Sequence, residues 1–218
     1  MGRRTMIRRL AGQAWMIARS FAAARRGRGV ARTARLALYE VLFDLRHGTD
    51  TSMEPPGRAT AHEGTNPLLF AEILRHAGFA ADGRALVDFG AGKGRALMLA
   101  AEHGFGTAIG VESSPELCAI ATANIARYGR RRPGALSVTC ADAASFEVPP
   151  EVTVAYLFNP FGADTMRAVV DRIRESLDRA PREFHVVYLN PRHAGPFLGA
   201  GFIVEHRRPD ALLLRRPR

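Results

Sequence analysis

Three glycines and two carboxylates pose the chemical question. Asp88, Gly90, Gly92 and Gly94 fall at alternate positions in the run Leu86-Val87-Asp88-Phe89-Gly90-Ala91-Gly92-Lys93-Gly94-Arg95, and Glu112 follows Gly94 by 18 residues. An apolar run that passes into spaced glycines and then into helix-suited residues predicts a strand, a tight turn and a helix start. That geometry brings backbone close to a nucleotide-like ligand. Glu112 stands where a second strand, Ala108–Val111, should end, and a carboxylate there can accept hydrogen bonds from both hydroxyls of a ribose. Together these residues point to a ligand that contains an adenosine.

The residues around the turn narrow the choice. A phosphate-binding loop needs a glycine separated by four residues from its Gly-Lys pair, and a hydroxyl residue directly after it. Here those places hold Val87 and Gly94, so that loop is excluded. A dinucleotide turn needs Gly-x-Gly-x-x-Gly, with a pyrophosphate on the helix N-terminus. This chain has Gly-x-Gly-x-Gly instead, and Asp88 would repel an anion placed beside it. A cation would be welcome there.

S-adenosylmethionine carries an ammonium, a sulfonium and a ribose, and at these residues the chain resembles the class I (seven-β-strand) S-adenosylmethionine-dependent methyltransferases. The resemblance runs from about Thr51 to the C-terminus. It implies that Asp88, Gly90, Gly92 and Gly94 lie under the methionine and ribose parts and that Glu112 binds the ribose. It also implies that Asp142, in Cys140-Ala141-Asp142-Ala143, contacts the adenine amino group; the plainer alternative for Asp142 is a cap for the next short helix.

The fourth predicted strand ends in Tyr156-Leu157-Phe158-Asn159-Pro160-Phe161, which resembles the Asp/Asn-Pro-Pro-Tyr/Phe motif of amine and amide N-methyltransferases with one proline missing. The resemblance implies that Asn159 and a following carbonyl accept hydrogen bonds from a target nitrogen while the ring of Phe161 packs against it. Asn159, Pro160 and Phe161 are therefore the candidate catalytic residues, and geometry alone can supply much of the acceleration. A second phrase, Tyr188-Leu189-Asn190-Pro191, ends the fifth strand. Glu63-Gly64-Thr65-Asn66-Pro67 stands where protein-lysine methyltransferases of this fold, the histone Dot1-like group among them, carry a loop over the cofactor. Thr65 is the candidate contact for the methionine carboxylate. His62, His185 and His193 carry no catalytic assignment.

The elements that must position these residues follow from pattern. Strands are predicted at Ala85–Phe89, Ala108–Val111, Leu136–Cys140, Val152–Phe158, Phe184–Leu189, Phe202–His206 and Ala211–Leu214. Helical patterns lie between them, one behind Ser114 as N-cap and Pro115 at its first position, another running from Ala163 to Leu177. The alternation predicts an α/β fold: a Rossmann-like, doubly wound, mainly parallel seven-stranded sheet with a C-terminal antiparallel hairpin. A basic helical segment, residues 1–50, precedes the domain at 51–218.

Charge is concentrated in that segment. The chain has a formal charge of +10, and residues 1 to 46 hold eleven Arg against Glu40 and Asp44, leaving the rest nearly neutral. Ile7, Leu10, Ala14, Ile17 and Phe21 form one apolar stripe at helical spacing, with Arg4, Arg8, Arg19 and Arg26 on a neighbouring face. Such a helix suits an anionic membrane surface, an acidic partner, or docking on its own domain or on a second subunit. The near-neutral domain argues against nucleic acid. No segment has about 18 uninterrupted apolar residues, so the expectation is a cytoplasmic or peripherally membrane-bound protein. Cys118 and Cys140 are expected to be reduced, buried thiols, because a chain of this size does not need a disulfide. The functional expectation is methyl transfer to nitrogen, with a protein lysine or a small amine as acceptor. The alternatives are an inactive adaptor that keeps the fold, and an RNA methyltransferase.

Overall fold

A computed structural model of the chain describes residues 30–52, 64–129 and 135–218. The apolar stripe from Ile7 to Phe21, His62, Glu63 and the arginine run at 130–132 lie outside the described residues. Chain order is α1 (Val30–His47), α2 (Pro67–Leu74), β1 (Ala85–Phe89), α3 (Arg95–Glu102), β2 (Thr107–Glu112), α4 (Pro115–Tyr128) and β3 (Ala135–Cys140). After a single 3-10 turn come β4 (Val152–Phe158), α5 (Ala163–Arg179), β5 (Phe184–Leu189), α6 (Gly195–Gly199), β6 (Ile203–Arg207) and β7 (Ala211–Arg216). The strands fall within two residues of their expected bounds.

The seven strands form one sheet in the order β3-β2-β1-β4-β5-β7-β6. The first five run parallel, and β7 lies antiparallel between β5 and β6. This is the doubly wound sheet with its closing hairpin. The reversal of strand order at β1 and β4 opens a crevice at their C-terminal ends.

Both faces of the central strands are buried, so their sequences read as continuous apolar runs. In β1, Val87 and Phe89 join the cluster under α5, with Met166, Val170 and Ile173, while Leu86 points the other way. That second cluster holds Phe70 and Ile73 of α2 and Leu97 and Met98 of α3. Period-two alternation therefore puts Asp88 on the α2–α3 face beside its register partner Tyr156. Helix ends are locally specified. Ser114 accepts a hydrogen bond from the Leu117 N–H, and Asn66 accepts from the N–H groups of Leu68 and Leu69 while its own amide donates to Leu36 and Glu40 of α1.

Helix α1, from the basic N-terminal segment, is tied to the glycine turn by a buried ion network. Arg95, the first residue of α3, is 2% exposed; its guanidinium meets Glu40 at 3.2 Å and Asp44 at 3.7 Å, and lies over the Phe43 ring. It also donates to the Thr51 hydroxyl and carbonyl and to the Thr65 carbonyl.

The structure corrects the reading of the cysteines: Cys118 and Cys140 form a disulfide. Pairing of β2 with β3 sets Glu112 beside Cys140, and α4 starts only three residues beyond Glu112. Its first turn brings Cys118 back over the end of β3, with the two Cα atoms 5.8 Å apart, inside the range a disulfide spans. Size arguments speak to whether a fold needs a bridge and not to whether two ends meet.

Closing a loop with a sequence separation of 22 restricts the unfolded chain by about 3 kcal/mol in the loop-entropy account. Reduction with a dithiol should lower unfolding stability by up to that amount, and Cys118→Ser should abolish the difference. Urea titrations of both proteins with and without reductant check this.

Candidate functional site

A cavity of about 580 Å³ opens at the C-terminal ends of β1, β2 and β4. It is lined by Thr65, Asp88, Gly90, Gly92, Glu112, Asp142, Asn159, Pro160 and Phe161, so nine of the ten candidate residues share one wall system. Gly94 is the exception. It precedes α3 and faces α4, where a Cβ would lie 3.3 Å from the Ala121 methyl, so its smallness serves helix packing.

The turn is held from two sides. The N–H groups of Gly90 and Ala91 both donate to the Val111 carbonyl, at 2.8 and 3.1 Å. The Gly92 N–H donates to one Glu112 oxygen and the Ser114 N–H to the other, each at 2.9 Å. Both Glu112 oxygens are thereby held in place, with lone pairs left for a diol. Gly90 has φ +81°, and a Cβ there would stand 2.5 Å from Cβ of Pro160. The glycine turn and the Asn159-Pro160 step are in direct contact.

Asp88 is buried at the floor of the cavity, and its carboxyl is pushed up to about 8, first by burial and then by the charge of Glu112. An empty floor thus favours a neutral acid, and a cation placed there favours the carboxylate. Beside it, the Tyr156 hydroxyl is 2.8 Å from the Thr65 hydroxyl, and burial raises the phenol well above its ordinary range. Sequence reasoning missed this pair. The one available signal is that Tyr156 alternates onto the same face as Asp88.

Asn159 ends β4 at φ +41°, and its side-chain Oδ1 is buried with no hydrogen-bond partner among the described residues. Asn190 takes the matching place after β5, also at positive φ (47°), but it is exposed and does not line the cavity. Asp142 caps the 3-10 turn through the Ala144 N–H and also borders the cavity, so its two readings coexist. His185 sits at the opposite, N-terminal end of the strands, against Glu183, away from the cavity. His193 donates its backbone N–H to the Tyr188 hydroxyl. Among the described residues no group of three or more His, Cys, Asp or Glu could hold a metal ion.

No protein-family model and no curated protein matches the chain. Solved structures do. An S-adenosylmethionine-dependent methyltransferase from Aquifex aeolicus is similar with a TM-score of 0.54 and 11% identity, over 67% of this chain and 88% of that one. A precorrin-6y C5,15-methyltransferase from Geobacter metallireducens is similar at 0.53 and 13%, over 71% and 90%. A ribosomal protein L11 methylase from Lactobacillus delbrueckii subsp. bulgaricus is similar at 0.50 and 14%, over 70% and 77%. The chain has the Rossmann-like fold of the class I S-adenosylmethionine-dependent methyltransferases.

Two expectations follow from the site. The unfolded chain releases the Asp88 proton near 3.8, whereas the folded protein holds it to about 8. Between those values the native state binds more protons, so stability of the unliganded protein should fall as pH rises through that window. Asp88→Asn should flatten that limb, as read by urea unfolding at a series of pH values. Gly90→Ala should displace Pro160 and be destabilising, with a strained φ and a clash in one step, a cost of about 1–3 kcal/mol; thermal unfolding measures it.

Proposed function

We propose that the protein is an S-adenosylmethionine-dependent methyltransferase that methylates nitrogen, with a protein lysine or another amine as acceptor. The observation that carries the acceptor type is the Asn159 Oδ1, a buried acceptor without a partner at the strand end that borders the cavity. Buried polar atoms are nearly always satisfied, and an unsatisfied one on a residue that lines a cavity fits an N–H supplied by a ligand. The donor rests on three acids at the ends of three neighbouring strands: Asp88 after a buried run, Glu112 braced by two N–H groups, and Asp142 at the rim.

Bound S-adenosylmethionine would supply an electrophilic methyl on a cationic sulfur. In this reading Asp88 holds positive charge, Glu112 accepts from the ribose hydroxyls and Asp142 faces the adenine. Thr65, fixed by Tyr156, stands at the methionine end. Asn159 accepts an N–H from the target nitrogen and so directs its lone pair inward, while Pro160 and Phe161 wall the approach and keep water out. In-line transfer asks for orientation and desolvation, which these residues offer without a nucleophilic side chain. The solved structures of similar fold include a ribosomal protein L11 methylase and a precorrin-6y methyltransferase, so the acceptor reading rests on Asn159 and not on the fold. The positive charge of residues 1 to 46 is assigned to an anionic surface or acidic partner.

Calorimetry with S-adenosylmethionine and S-adenosylhomocysteine tests the donor, and absence of binding sinks the proposal. Glu112→Ala should weaken binding at least tenfold, since it removes hydrogen bonds to a charged group worth about 1.5–3 kcal/mol. Asn159→Ala should leave that binding intact and slow turnover on lysine peptides or amines by about 100-fold. Intact turnover in Asn159→Ala would favour a non-nitrogen acceptor, and binding without turnover on any acceptor would favour the adaptor reading.

A further inference from the structure

Helix α1 keeps its acids apart from its exposed apolar surface. Both acids, Glu40 and Asp44, turn inward to Arg95. The outer side carries an exposed row of Ala31, Ala34, Leu38, Leu42 and Leu45, set three and four residues apart. The three leucines are 54%, 49% and 60% exposed. At the helical rise the row extends for about 20 Å. Along one flank of it stand Arg35, Tyr39 and Arg46, all exposed, with the Arg35 guanidinium 5.8 Å from the centre of the Tyr39 ring. Among its described residues α1 exposes no acid. Leu42 and Leu45 also border a groove of about 660 Å³ whose lining includes Pro67, Leu68 and Leu99.

Single exposed leucines are ordinary, but an aligned row beside an apolar groove marks a surface with a partner. Charge selects which one. A second copy of the chain docked row to row would bring its own Arg35 and Arg46 against these, with no exposed acid on α1 to meet them. The leucines offer area without hydrogen-bonding groups, which suits a fluid acyl layer better than the fixed polar contacts of a protein interface. An anionic phospholipid surface answers every feature at once. Acyl chains take the leucines, headgroup phosphates take the arginines, and the ring of Tyr39 suits the boundary between them. The sequence adds to the attraction: residues 1 to 46 hold eleven Arg, and the only acids among them are the two that Arg95 already engages.

We propose that the outer side of α1 is a membrane-docking face, which lies in the interface of an anionic phospholipid bilayer with Leu38, Leu42 and Leu45 toward the acyl chains and Arg35 and Arg46 at the headgroups. The proposal rests on the assignment of the basic segment to an anionic surface or acidic partner, and it selects the surface. It does not depend on the chemistry of the cavity. The inner side of the same helix holds Arg95 at the cavity wall, so a buried ion network joins the docking face to the domain.

Sedimentation of the full chain with vesicles tests the face. The protein should sediment with vesicles of equal parts phosphatidylglycerol and phosphatidylcholine, and Leu38→Asp with Leu42→Asp should lower its affinity for them by about tenfold or more. Both side chains are exposed, so thermal unfolding of that variant should match the unaltered protein. Absence of binding by the unaltered protein overturns the docking face and the membrane assignment together. Undiminished binding by the aspartate variant overturns the docking face alone and leaves the charge of the basic segment as the source of attraction. A dimer in solution that the aspartate variant dissociates overturns the proposal in favour of a second copy. A second measurement places the helix directly. Trp15 is the only tryptophan, so Leu42→Trp in a chain carrying Trp15→Phe gives one reporter on α1. Its fluorescence should be quenched by vesicles of the same headgroups with brominated acyl chains, and unquenched emission from vesicle-bound protein overturns the proposal.

Discussion

A missing side chain at Gly90 is the constraint from which the site is built. Its Cα lies so close to Pro160 that no Cβ fits between them. The turn that would receive the donor and the strand end that would receive the acceptor are therefore one packed unit. Any shift of β4 relative to β1 would press on the turn, and the parallel register of the two strands, Asp88 beside Tyr156, holds them against such a shift. Methyl transfer depends on separation and alignment of two bound groups. A rigid contact between the two half-sites sets both through the sheet and not through a mobile loop.

The second dependence runs through buried charge. Arg95 lies between Glu40 and Asp44 with almost no exposure, and its remaining donors go to the Thr51 and Thr65 loops. Buried ions are costly unless their geometry and hydrogen bonds are complete, and losing one partner strands the others. Such a network specifies one arrangement more than it adds stability. It links the basic N-terminal segment, the two loops before α2 and the start of α3 into one frame, and through Thr65 it reaches Tyr156 and the cavity floor.

Most of the sheet was legible because each central strand is an unbroken apolar run between turn residues, and the helix starts at Ser114 and Asn66 carry their own caps. The places of Asp88 and Glu112 at strand ends were legible from spacing, and that of Asp142 from the family resemblance; all three line the cavity. Contacts made across long separations were not. The Thr65–Tyr156 pair spans 91 residues and Arg95–Thr51 spans 44, and neither leaves a local period. The disulfide was missed for a related reason, since it depends on where α4 folds back and on no property of the cysteines. Gly94 looked equivalent to Gly90 and Gly92 by alternation, but backbone at positive φ does not keep strand parity, and Gly94 turns toward Ala121.

Asn159 and Asn190 separate strain from function. Both end neighbouring parallel strands, both precede proline, and both sit at positive φ, a conformation that costs a residue with a side chain about 1–3 kcal/mol. If strain alone marked a site, the two would be equal candidates. They differ in surroundings. Asn190 is exposed, so water satisfies its amide. Asn159 lines the cavity and keeps a buried acceptor without a partner among the described residues, a second unfavourable feature of about 1–3 kcal/mol. The shared strain belongs to the Asn-Pro strand end as a way of turning the chain. The unsatisfied oxygen belongs to Asn159 alone, and a ligand N–H is the partner that would remove its cost.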